Sequence, residues 1–278
     1  MPVRIDVPVL PVPRARAFAL LTDAAPQAHD LGPLVELAEL DPEFTAAVIR
    51  SANSAASAPI ERVVSARVAV VRLGPRRSRE AMLRALLDDT FHLDDSGIDT
   101  SELWRHLVLC AVLVEGAVGR PANGYTAGLL HDVGRMAMAS QHPQAYSKVV
   151  TDVAAGRHAL DAERAVFGLS HVEWSVAAAR SWGLSEVLVD AIAQHHRPSR
   201  RQLPVALYQA RRAGTTLGYG DGLGGGVNAP LTIEALRGRW QATLDTDPWA
   251  APVLRRIGGT EALAGRIGLH AEAESSAA

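Results

Sequence analysis

Cysteine is almost absent from this sequence: of 278 residues, Cys110 is the only one. That excludes an intrachain disulfide and any zinc site built from cysteines, and it suits a reducing, cytoplasmic compartment. Aromatic residues are scarce at 5%, although 48% of the chain is hydrophobic. The apolar content is therefore mostly Ala, Val and Leu, which fits packed helices better than a β-sandwich. No long run of Lys and Arg occurs and the formal net charge is -2, so the basic footprint of a DNA-binding surface is missing. The short cluster Arg76, Arg77 and Arg79 reads as a solvated helix face. Long hydrophobic runs are missing too. The longest, from Leu107 to Val114, is far short of the roughly 20 residues that span a bilayer, and no basic segment followed by an apolar one opens the chain. Neither a membrane span nor a secretion signal is expected.

What is present is helical punctuation. Prolines at 2, 8, 11 and 13, with Val3, Ile5, Val7 and Val9 alternating between them, predict an extended arm over 1–13. From Arg14 the period becomes helical. Asp41-Pro42 is a helix start, an N-cap carboxylate followed by a proline that loses no intrahelical bond. Ser65 opens a helix that stops at Gly74-Pro75, and a further one follows with Met82, Leu83, Leu86 and Leu87 inward. The polar run from Asp88 to Ser101 separates an N-terminal helical lobe, 14–92, from a histidine-bearing lobe, 93–214. In the second lobe Thr100 or Ser101 caps a long helix to Val118, with Leu103, Leu107, Cys110 and Val114 as its apolar stripe. Helices are predicted over 124–140, 143–155 and 161–167. Ser170-x-x-Glu173 is a capping box, and helices from Ser185 and Leu203 follow. The remainder, 215–278, reads as a mobile glycine-rich loop over 218–226, short helices over 232–238 and 248–257, and a disordered tail.

The informative residues are histidines. His106 lies three residues after Leu103 and four before Cys110, on the inward face of its helix. His131-Asp132 follows Leu129-Leu130, and His195-His196 stands three and four residues after Ile192. One inward histidine is usually a core residue with a hydrogen-bond partner. Several on different helices beside a carboxylate need a common partner, and a divalent metal satisfies neutral imidazoles and carboxylates together. Such ligands suit Fe, Mn, Zn, Ni or Co without selecting among them.

Gly128-Leu-Leu-His131-Asp132-Val-Gly134-Arg135 resembles the GLLHDIGK signature of HD-superfamily phosphohydrolases. Upstream, the stretch from Asp41-Pro-Glu-Phe44 to Asn53-Ser54, followed by Ala69-Val-Val-Arg-Leu-Gly74, is similar to the N-terminal pattern of the HDOD family. Leu103-Trp-Arg-His106, Gly168-Leu-Ser-His171 and Gln194-His195-His196-Arg-Pro198 follow in that family's order. The resemblance implies an all-α fold, a multi-helix HD-like bundle with an N-terminal helical lobe and a short C-terminal helical extension, in which His131 and Asp132 share a helix. It also implies His106, His131, Asp132, His171, His195 and His196 as metal ligands, with Arg135 as a phosphate-binding cation. Active relatives carry a further aspartate, which would fall within 206–210; here Gln209 and its neighbours offer no carboxylate, and Asp190 does not match the motif. The glycine-tyrosine-proline signature of cyclic-dinucleotide phosphodiesterases is missing as well. The resemblance thus implies a signalling or regulatory module that binds a protein partner or a nucleotide messenger, its metal site degenerate and either empty or partly filled. The alternatives are a metal-dependent phosphohydrolase of nucleotides or phosphoesters, and a helical domain with no cofactor at all.

Overall fold

The computed structural model describes residues 12–22, 31–54, 62–118, 121–197, 199–224 and 232–267; these are helices and connections, with no strand among them. They fall into two compact units, one ending at His92 and one running from Leu93 onward.

The first unit holds α1 (Val12–Thr22), α2 (Gly32–Leu40), α3 (Pro42–Ala52) and α4 (Ala66–Thr90). The arm expected over 1–13 lies outside the described residues up to residue 11, and its last two residues already belong to α1. Asp41 opens α3, its side chain accepting from Glu43 N at 2.9 Å and Phe44 N at 3.3 Å. Asn53, just past α3, exchanges two hydrogen bonds with the backbone of Val63, at 2.8 and 2.7 Å. The stop expected at Gly74-Pro75 is a break inside α4: Gly74 takes φ 73°, open to glycine without strain, while the proline after it disfavours helical geometry.

The second unit is built around α5 (Thr100–Val118), every residue of which is buried from His106 to Val114. Its cap is neither Thr100 nor Ser101: Asp99 accepts from Glu102 N at 2.9 Å. Packed against α5 are α6 (Pro121–Leu130), α12 (Gln202–Leu217), α14 (Ala250–Ile257) and α15 (Thr260–Ile267). The other elements are α7 (Val133–Gln141), α8 (Pro143–Ala154), α9 (Ala159–Phe167), α10 (His171–Ser181), α11 (Glu186–Gln194) and α13 (Ile233–Thr246). The carboxylate of Glu173 receives Ser170 N at 3.0 Å and the Ser170 hydroxyl at the start of α10.

Three further expectations need correction. The helix over 124–140 is two, α6 and α7, and His131 and Asp132 form the turn between them instead of sharing a helix. The helix expected over 232–238 continues to Thr246, because Gly238 faces open space and a lone exposed glycine weakens a helix without ending it. The described part of the glycine-rich segment, 218–224, is anchored and not a mobile link: Tyr219 and Leu223 are fully buried, and Gly222 O accepts from Asp99 N at 3.0 Å. The tail beyond 267 lies outside the described residues.

Candidate metal centre

Six side chains meet in the core of the second unit. His106 comes from α5, His131 and Asp132 from the turn between α6 and α7, His171 from the first position of α10, and His195 and His196 from the end of α11. The turn is held there by two glycines. A Cβ on Gly128 would lie 2.3 Å from Ala111 Cα of α5, and one on Gly134 would lie 2.1 Å from His171 O of α10. The signature's glycines thus let three backbones approach closely enough to bring their side chains to one point.

Asp132 is the hub. Its Oδ1 lies 3.2 Å from both His171 Nε2 and His195 Nε2 and 3.5 Å from His131 Nε2, while His106 Nε2 is 4.0 Å from Oδ2. Further contacts link His171 Nε2 to His196 Nε2 at 2.9 Å and to His195 Nε2 at 3.2 Å, and His106 Nε2 to His131 Nε2 at 3.3 Å. Asp132, His131, His171 and His195 are fully buried, His106 nearly so, and His196 is partly exposed.

The donor atoms fit a cation. His131 Nδ1 faces Gly128 O at 2.7 Å, His171 Nδ1 faces Glu163 at 2.7 Å, and His195 Nδ1 faces Ile192 O. Each acceptor fixes the ring's N–H on Nδ1 and leaves an Nε2 lone pair aimed inward. Both Asp132 oxygens are buried without a hydrogen-bond donor. Lone pairs and a carboxylate crowded together make a site that a cation could fill. A tetrahedral ion with bonds of about 2.0–2.1 Å to N and O sets its ligands about 3.3 Å apart, close to the 3.2 Å between Asp132 and each of His171 and His195.

Around these residues lies a shell of charge. Glu163 of α9 accepts from His171 N at 2.8 Å and from the Tyr146 hydroxyl at 2.9 Å. Arg135 points inward, fully buried, with Nε 3.3 Å from Asp132 and 3.9 Å from Glu163 and Nη1 2.8 Å from Asp221. Its nitrogens make no well-aligned hydrogen bond, so the attraction is Coulombic. Arg135, expected as a phosphate-binding cation, thus stands among three carboxylates. Arg211 of α12 donates to His195 O at 3.3 Å and to His196 Nδ1 at 3.2 Å; α12 brings a cation to the centre where active relatives are expected to bring a carboxylate. Gln209 is partly exposed, and Asp190 is taken up by Gln194 and Arg201.

Three residues that matter here fall outside the sequence motifs. Glu163 stands four before the buried Phe167, a carboxylate on an apolar face, and Arg211 stands four after the buried Leu207. These spacings are detectable. Asp221 sits in a glycine-rich connection where no period marks it.

Burial pushes the pKa of His106, His131 and His196 down and that of His195 to about 4. Burial would also lower His171, but the Glu163 carboxylate carries it above its ordinary value. Burial would raise Asp132, Glu163 and Asp221, yet the neighbouring imidazoles and Arg135 hold all three low. A histidine with a depressed folded pKa adds stability above its unfolded value of about 6.5, and that stability is lost as pH falls through the folded value. The three carboxylates lose theirs on further acidification. His171 runs the other way, losing its contribution as pH rises past its folded pKa. Four against one decides the sign: the metal-free protein is expected to become less stable from about pH 6.5 down to about 4, read by urea denaturation across that range. A flat profile would mean that the rings are hydrated.

An all-helical core with a histidine-aspartate centre across a helix-turn-helix break defines an HD-type protein. The HDOD-domain model matches residues 7–198, and the chain belongs to that family. A solved HDOD domain protein of unknown function from Geobacter sulfurreducens is 26% identical, with TM-score 0.64 over 96% of this chain and 90% of that one. A structure from Marinobacter aquaeolei VT8, named for signal transduction, is 23% identical with TM-score 0.70 over 95% of this chain and 60% of that one. One from Shewanella amazonensis SB2B, named as a phosphohydrolase, is 20% identical with TM-score 0.64 over 94% of each chain; the last two support the fold. A curated relative from Treponema pallidum (strain Nichols), an uncharacterized protein, is 25% identical over 201 residues, 69% of this chain but 38% of the relative. The chain therefore spans under two-fifths of that relative's length. Among the described residues no helix is long and apolar enough to cross a membrane.

Proposed function

We propose that this protein is a regulatory HDOD module whose HD centre holds a divalent cation as a fixed part of the core, and that it acts by binding a signal ligand and not by cleaving a phosphoester. The observation that carries this reading is the enclosure of the centre. Asp132, His131, His171 and His195 are sealed from solvent, and the signature's cation, Arg135, is spent on Asp132, Glu163 and Asp221. A catalytic metal keeps an open position for its substrate, and a phosphate needs a free cation beside it. When bound, the cation would supply the positive charge that His106, His131, Asp132, His171 and His195 together lack.

Between protein and nucleotide signals, the surface favours a nucleotide. A cavity of about 640 Å³ lies among α9, α10 and α11, with Val172 and Val176 on its walls, Arg180 and Arg197 around it, and Arg164 paired with the lining carboxylate of Glu173 at 3.9 Å. Its size and its pairing of apolar surface with guanidinium groups suit a small anionic ligand carrying a flat ring. His196 lines both this cavity and the centre, and that shared residue favours phosphohydrolase activity as the second reading. Thermal unfolding against a panel of linear and cyclic nucleotides tests both. A ligand at a hundredfold excess over its Kd is expected to stabilise by about 2.7 kcal/mol, an effect lost in Arg180→Glu, with no phosphate released under any of the five metals. Metal-dependent phosphate release that vanishes in the His131→Ala, Asp132→Ala double variant would establish the hydrolase instead.

A further inference from the structure

A single cysteine cannot build a zinc site by itself, and the sequence gives Cys110 no cysteine partner. The structure surrounds it with other donors. It lies one turn after His106 on α5, and its Sγ is 3.7 Å from His106 Nε2, which is itself 3.3 Å from His131 Nε2. The ligand atoms of His106, Cys110 and His131 all lie within 4.8 Å of one another, and all three residues are buried. A tetrahedral ion with bonds of about 2.05 Å to nitrogen and 2.3 Å to sulfur places two nitrogens about 3.3 Å apart and a nitrogen and sulfur about 3.6 Å apart. The two distances found match those edges.

A second observation points to the same place. The Asp132 carboxylate, fully buried and with no donor on either oxygen, lies 3.5 Å from His131 Nε2 through Oδ1 and 4.0 Å from His106 Nε2 through Oδ2. Its charge is already opposed by Arg135, with Arg211 close to the centre. With Glu163 and Asp221 set against Arg135 and Arg211, a divalent ion held by neutral imidazoles and this one carboxylate would still leave one positive charge in excess. A thiolate supplies the second negative charge where α12 offers none.

We infer that Cys110 is a metal ligand, a thiolate completing a His106–Cys110–His131 seat beside Asp132, and that sulfur makes this seat selective for zinc or a similarly thiophilic ion over manganese. Ligation replaces the Cys110 S–H bond with a sulfur–metal bond, and the proton passes to the buffer. The inference rests on the reading that the centre holds a cation, and the experiment separates the two.

Chelator-treated protein is titrated with Co(II) and followed by absorption. Visible d–d bands report cobalt in the centre whatever its ligands; a near-ultraviolet sulfur-to-cobalt charge-transfer band reports a thiolate, and Cys110 is the only one available. Both are expected in the parent protein, and Cys110→Ser is expected to keep the d–d bands and lose the charge-transfer band. Should that variant fail to fold, X-ray absorption of the zinc-loaded parent must show a zinc–sulfur shell at about 2.3 Å. Cobalt d–d bands without charge transfer, or a zinc shell of nitrogen and oxygen alone, would overturn the thiolate ligand and leave the cation reading intact. No cobalt bands at all would overturn both.

Discussion

Arg135→Met is expected to destabilise the unit from Leu93 onward by about 3–5 kcal/mol, the cost of removing one partner from a buried ionic cluster. The side chain is fully buried and stands between Asp132, Glu163 and Asp221. Methionine fills a similar volume, so most of the loss comes from the three carboxylates left facing one another. Asp221 has the means to escape, since its side chain is 25% exposed and it sits in a connection. Asp132 and Glu163 do not, because both are sealed in the core. Their pKa must rise in the variant, so part of the lost stability should return as pH falls through the raised values, opposite to the trend expected of the parent. Arg135→Lys keeps the charge but cannot reach three acids from one ammonium, and an intermediate loss is expected. Urea denaturation of the metal-free proteins at several pH values measures all of this. A loss below about 1 kcal/mol, the range of exposed pairs, would mean that water enters the centre and that the cluster is no sealed core.

The same residue shows how far the sequence could be read. The ordered histidines, the HD dipeptide and most helices were legible because each rests on a local signal: a cap, a proline, or an apolar face at a spacing of three and four. His106 and Cys110 were placed on the inward face of α5, and both are buried there. What Arg135 touches was not legible, because charge partners drawn from α9 and from the connection after α12 depend on packing between distant segments. The break at His131-Asp132 was hidden for a related reason. Neither residue stops a helix by itself; the turn follows from what lies against Gly128 and Gly134. The glycine-rich segment misled in the opposite sense: its composition spoke for mobility, while Tyr219 and Leu223 supplied the burial that anchors it.

Gly128→Ala and Gly134→Ala are each expected to cost about 3 kcal/mol or more, the upper end of the range for overpacking. Ordinarily a glycine-to-alanine change inside a helix stabilises by roughly 0.5–1 kcal/mol, and Gly238→Ala, where a Cβ meets nothing within 4 Å, should do so. At Gly128 the new methyl would stand 2.3 Å from Ala111 Cα and 2.4 Å from Ala111 N; at Gly134 it would stand 2.1 Å from His171 O and 2.6 Å from Ser175 N. These are backbone atoms, unable to rotate aside, so ordinary contact is regained only if whole helices part by more than about 1 Å. The two variants should differ in what they do to the centre. Moving α6 from α5 separates His131 from His106 and Cys110, while moving α7 from α10 pulls Asp132 away from His171 and breaks the 2.8 Å hydrogen bond from Gly134 N to the Ser175 hydroxyl. Cobalt titration of both should therefore show the charge-transfer band failing first in Gly128→Ala, and weaker binding with that band kept in Gly134→Ala. Near-parent stability in either variant would mean that the helices have slack at that crossing, and that its glycine does not set the position of the turn between α6 and α7.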